Sequence, residues 1–203
     1  MRFSSRKGFT LIELLISVAI ISIVTGMVLV KYSSFDSTVI LKSAAYDIAV
    51  SIREVQVKSL SQVRSGGTGA SFNYPYGISF TPGSQSYDVF TFASDTGTPR
   101  YDSANASRLN TAMLGNSLQV DQVCAYGTSA SDPCAFSRLD ISFRRPEYKA
   151  LFYGKNGADY SSTITSAKIK VKSTKAGATD VFVVEISNLG QISVCKKGVG
   201  TCT

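Results

Sequence analysis

Phe9 to Val30 reads FTLIELLISVAIISIVTGMVLV, 22 residues in which Glu13 is the one charge. Wound as an α-helix at 1.5 Å per residue, the stretch is about 33 Å long, enough to cross a hydrocarbon core of roughly 30 Å. Arg2, Arg6 and Lys7 precede it with no acid among them, so the positive-inside rule keeps that end cytoplasmic and sends the C-terminal part across the membrane. A cleaved secretory signal has a shorter apolar region followed by a small-residue cleavage site, and none follows Val30. A plain single-span anchor leaves Glu13 unexplained, because a carboxylate inside an apolar run costs roughly 2.5 to 3.5 kcal/mol on insertion scales unless a partner relieves it.

Beyond the apolar run, Val39 to Val63 lacks Pro and Gly, and Leu41, Ala45, Ile48, Ile52 and Val55 recur at spacings of three and four. That is one helical face, with Lys42, Asp47, Arg53, Glu54 and Lys58 on the others, the pattern of a helix laying a stripe on a sheet. Ser65-Gly66-Gly67 should stop it. The spacing predicts a near-continuous helix from Phe9 to Arg64, with Ser33 to Ser37 the place for a break if there is one.

Past Gly69 the period changes to two. Tyr76–Phe80, Tyr87–Phe92, Leu139–Phe143, Ala150–Tyr153, Ala167–Lys172, Val181–Ile186 and Gln191–Val194 read as short strands of antiparallel sheet, the last hairpin turned by Asn188-Leu189-Gly190. Ser94 to Asp132 shows little periodicity beyond Ser117 to Val123 and is expected to be a surface loop. The fold class is therefore α+β: a long N-terminal helical spine, a transmembrane half and an amphipathic half, packed on an antiparallel β-sheet domain. The domain plan is 9–30 for the membrane helix, 31–64 for its amphipathic continuation and 65–203 for the β-rich part.

The 203 residues include no His, which removes the Ser-His-Asp and Cys-His nucleophile pairs, His-ligated metals and a histidine pH switch. No phosphate loop, G-x-S-x-G or H-E-x-x-H is present, and the acids, scattered through β-rich segments, read as solvated surface. No catalytic residue, metal or cofactor is expected. Cys124, Cys134, Cys195 and Cys202 lack zinc or C-x-x-C spacing and read as two disulfides. Three connectivities are open, and adjacent pairing is our expectation. The net charge of +7 includes Lys168, Lys170 and Lys172, alternating along one strand, and Lys196 and Lys197 beside Cys195. Lysines so placed keep strand faces soluble, and clustered they can also meet phosphates.

Lys7-Gly8-Phe9-Thr10-Leu11-Ile12-Glu13-Leu14-Leu15 resembles the prepilin signature of type IV pilins and of the pseudopilins of type II secretion. The resemblance implies that residues 1–8 are a leader, that a prepilin peptidase cuts after Gly8 and N-methylates Phe9, and that the apolar helix stays as membrane anchor and later as filament core. It also implies that Glu13 pairs with the N-terminal amine of a neighbouring subunit during assembly. Val30 stands where many major pilins carry a proline, which favours a minor pilin or pseudopilin.

Ile48–Lys58 and Ile186–Val194 look like the H-type minor pseudopilins and related minor pilins (GspH/FimT-like), whose fold is a spine helix on two antiparallel sheets. The partners so implied are other pilins or pseudopilins, the prepilin peptidase, the inner-membrane assembly platform and the lipid bilayer before assembly. The location implied is the inner membrane, single-pass, with the C-terminal domain in the periplasm, and then a filament. Two functions follow, a minor pseudopilin of type II secretion or a minor pilin serving pilus biogenesis, adhesion or DNA uptake. In the last case Lys196 and Lys197 would contact nucleic acid. A membrane-anchored binding domain that never enters a filament is the reading from another class.

Overall fold

The computed structural model describes residues 8–61, 75–92, 100–101, 106–127, 132–144, 148–156, 159–161, 164–175 and 179–198, with backbone alone for 29–36 and 159–161. The chain divides into two compact units, Met1–Thr38 and Val39–Thr203. One helix assignment, α1 (Leu11–Leu60), extends through both. Ser33 to Ser37 fall within its range, and none of them is Pro or Gly. The described helix ends at Leu60, short of the Gly pair at 66 and 67. Ser61 N–H still donates to Val57 O at 2.7 Å, while its hydroxyl turns back to Lys58 O at 3.3 Å, a side-chain bond that competes with continuing the helix.

In the first unit the apolar side chains of Leu11–Val28 have no protein partner, since none of that segment is buried. Two of its serine hydroxyls turn inward on the backbone. Ser17 Oγ donates to Glu13 O at 2.7 Å and Ser22 Oγ to Val18 O at 2.8 Å, so neither hydroxyl needs water.

The second unit holds the strands β1 (Tyr76–Phe80), β2 (Ser86–Phe92), β3 (Ala106–Met113), β4 (Leu118–Tyr126), β5 (Arg138–Phe143), β6 (Ala150–Asn156), β7 (Asp159–Ser161), β8 (Ser166–Ser173), β9 (Val181–Ser187) and β10 (Ile192–Lys196). They form two sheets, ordered β3-β2-β1-β5-β6-β7 and β10-β9-β8-β4, with every pairing antiparallel. The structure is α+β, consistent with a pilin fold. The predicted stripe Leu41, Ala45, Ile48, Ile52 and Val55 is buried in one core with the inward residues of both sheets, among them Ile78, Phe80, Leu139, Ile141, Ile169 and Val184. Its burial gives the amphipathic half of α1 most of its stability, because helix propensity alone is marginal in water.

Ser94 to Asp132 is not the loop its composition suggested: β3 and β4 lie within it. β3 escapes sequence reading because it is an edge strand whose side chains are mostly exposed, so it needs no apolar face. Its ladder to β2 steps from Val89↔Asn110 to Phe90↔Arg108, which leaves Leu109 as a bulge. β4 carries the same device at Asp121, between Val120↔Val171 and Gln122↔Lys170. The extra residue resets the alternation, so Leu118 and Val120 before it and Val123 and Ala125 after it all face the core.

Two glycines are fixed by geometry. Gly190, in the last hairpin, has φ +78°, and a Cβ there would lie 2.5 Å from Gln56 Nε2 of α1. Gly77 is covered by the ring of its cross-strand partner Phe90, whose Cζ would be 2.3 Å from an added Cβ.

Candidate processing and assembly site

Gly8, Phe9 and Thr10 precede the helix. Helix α1 begins at Leu11 because Thr10 caps it. Thr10 O accepts from Leu14 N–H at 3.2 Å, the first helical bond, and Thr10 Oγ1 accepts from Glu13 N–H at 3.3 Å. Thr10-Leu11-Ile12-Glu13 is thus an N-cap, and the T-x-x-E pattern of its residue types is a signal that the sequence reading passed over. The cap places Glu13 in the first turn, where the unpaired N–H groups of the helix favour a negative charge. That field offsets part of the cost of a carboxylate in an apolar segment, and a cation from outside the chain would offset the rest.

Phe9 is 82% exposed, and no atom of the described residues lies within 4 Å of where a Gly8 Cβ would be. The 18 residues of Leu11–Val28 that follow are long and apolar enough to cross a membrane.

In the second unit the cysteines join as Cys124–Cys134, which ties β4 to the turn before β5. Cys195 is disulfide-bonded too, and its expected partner Cys202 lies outside the described residues. Lys168, Lys170 and Lys172 do share the outer face of β8, but each has a neighbour that absorbs its charge or its donors. Lys168 lies 3.9 Å from Glu185 and over the Tyr126 ring, Lys170 donates to Gln122 Oε1 at 3.0 Å, and Lys172 meets Asp121 at 2.5 Å. Lys196 pairs with Asp180 at 2.7 Å, whereas the neighbouring Lys197 is exposed. Paired lysines have less to offer a phosphate than the sequence alone suggested.

The acids are not all surface. Asp140 of β5 is fully buried on the face of the larger sheet turned away from the core, a position scattered charges in a β-rich sequence do not reveal. It accepts from Ser79 Oγ at 2.7 Å and Tyr101 N–H at 2.9 Å and lies 3.2 Å from Arg138 Nε. The Arg138 guanidinium donates in turn to Tyr101 O and lies over the Tyr101 ring. One residue of chain is thereby clamped through both its N–H and its C=O. Burial pushes the Asp140 carboxyl above its ordinary range, against the opposing pull of Arg138, Ser79 and the Tyr101 N–H. The sequence clue was Arg138-x-Asp140, opposite charges on one face of a strand whose other face is apolar.

Residues 3–29 match the family model of the prokaryotic N-terminal methylation motif. No curated protein and no solved structure matches the chain. The matched residues span the Gly8–Phe9 bond, the Thr10 cap, Glu13 in the first turn and the apolar segment beyond it. Residues 3–29 thus carry an N-terminal motif that is characteristic of type IV prepilin-like proteins.

Proposed function

We propose that the protein is a minor pseudopilin, a structural subunit that helps to start or cap the filament of a type II secretion system and catalyses no reaction. In this reading a prepilin peptidase removes residues 1–8 and methylates Phe9, and Leu11–Val28 holds the chain in the inner membrane with its β-rich unit in the periplasm. The assembly platform then moves it into a filament, where Glu13 meets the amine of a neighbouring subunit. The observation that carries the reading is the pairing, in one chain, of the methylation motif over residues 3–29 with a helix whose Leu41 to Val55 stripe is buried against two antiparallel sheets. An α1 that continues through Val30 with no proline supports a minor subunit over a major one.

The second reading, a minor pilin of a type IV pilus acting in biogenesis, adhesion or DNA uptake, shares every one of these features. The extracellular proteome of a clean deletion strain separates them. Loss of several soluble secreted enzymes with the major pilin unchanged is the expected result. Loss of the major pilin with the enzymes unchanged would assign the subunit to a pilus.

A further inference from the structure

We infer that Thr10 is a positioning residue for leader removal: its cap on α1 keeps the Gly8–Phe9 peptide bond outside the helix. The inference rests on the reading that the chain is cut after Gly8, and adds what keeps that bond accessible.

The first turn of any helix carries N–H groups with no partner inside the helix, and at a membrane such groups are costly to leave unpaired. A helix can satisfy them in two ways, by a capping side chain or by winding further towards its N-terminus. Here the side chain does it. Thr10 Oγ1 takes the Glu13 N–H, Thr10 O takes the Leu14 N–H, and residues 8–10 stay out of the helix. Nothing else in the local sequence enforces that limit, since Phe9 can enter a helix and only Gly8 resists it. Without the cap, two further residues of winding would give Gly8 O the N–H of Ile12 as its helical partner.

That carbonyl is the one the chemistry requires. In leader removal water adds to the Gly8 carbonyl carbon, the C–N bond to Phe9 breaks, and the leaving Phe9 amine takes up a proton as Gly8 becomes a carboxylate. A carbonyl engaged in a helical ladder has to be unwound before water can reach its carbon. The capping acceptor is a hydroxyl and the donor is the backbone of Glu13. Replacing the Glu13 side chain therefore leaves this bond intact, which separates the role of Thr10 from that of Glu13.

The test uses the full-length chain in proteoliposomes with purified prepilin peptidase, cleavage being followed by mass spectrometry. The unaltered chain must first be cut after Gly8; failure at that step refutes the processing reading itself. Thr10→Val keeps the shape of threonine but removes the acceptor, and Thr10→Ala removes both. Each is expected to be cut about three- to tenfold more slowly, the scale of a lost N-cap. Thr10→Ser and Thr10→Asn, different in shape but good caps, should be cut at close to the original rate, and Glu13→Val should be too. Amide exchange at Glu13 should quicken in Thr10→Val and return in Thr10→Ser. Equal rates for Thr10→Val and the unaltered chain, or Thr10→Ser and Thr10→Asn as slow as Thr10→Val, would overturn the inference.

Discussion

Replacing Asp140 tests whether its buried node is a structural fastening. The carboxylate is fully buried and engages Ser79 Oγ, Tyr101 N–H and Arg138, whose own side chain is only 21% exposed. Asp140→Ala removes the acceptor from two donors and leaves a largely buried guanidinium without its carboxylate. Removing one partner of a buried ion pair costs about 3 to 5 kcal/mol, and we expect about 4. With a urea dependence of roughly 2 kcal/mol per M, the unfolding midpoint moves down by about 2 M. Asp140→Asn keeps the volume and one acceptor oxygen but loses the charge and turns an NH2 toward a donor, so it should move the midpoint about half as far as Asp140→Ala, by about 1 M.

The assay is urea unfolding of the detergent-solubilised chain with disulfides intact, followed by near-ultraviolet circular dichroism of its tyrosines. The pH dependence has a definite sign. Burial raises the folded-state carboxyl above 3.8, so between that raised value and 3.8 the folded protein holds a proton that the unfolded chain has released. Stability of the original protein relative to Asp140→Asn should therefore rise as pH falls through this window and level off below it. Asp140→Ala within about 1 kcal/mol of the original, Asp140→Asn no better than Asp140→Ala, or a relative stability that falls with acid would refute the reasoning.

A methyl group at Gly77 would meet the Phe90 ring at 2.3 Å. Gly77→Ala should cost about 1 to 3 kcal/mol in thermal unfolding, with Phe90→Leu in the same chain recovering part of the loss. Glu13→Val removes the one charge of the apolar run and should insert in the membrane at least as readily. It should be scarce in sheared filaments when compared with the membrane fraction, and incorporation at the normal level would count against an assembly role.

What was legible in the sequence is what a period or a motif encodes. The α1 stripe from Leu41 to Val55 and the alternation in β8 and β9 place their residues in the core as the spacing implies. The methylation motif over residues 3–29 is local in sequence, so Gly8, Phe9 and Glu13 could be named as candidates without coordinates. β3 was hidden because an edge strand is held by backbone pairing to β2 and leaves no hydrophobic signature. The C-terminal end of β4 was hidden because the bulge at Asp121 breaks the period of two. Asp140 was hidden for a third reason: its burial depends on Tyr101, 39 residues away, and no pattern within a strand reports a cover supplied from so far along the chain.

That cover bears on how the protein can vary. Phe90 is fully buried on the face of the larger sheet turned away from the core, between Phe92 and Tyr101 with ring centroids 5.5 and 5.2 Å away. Substitution in the segment around Tyr101 therefore has a fixed point. An aromatic ring at position 101, with an N–H and C=O free to meet Asp140 and Arg138, has to survive each revision, because its loss would open a phenyl ring and a buried charge to solvent together. Variation in this region is thus hinged on one residue.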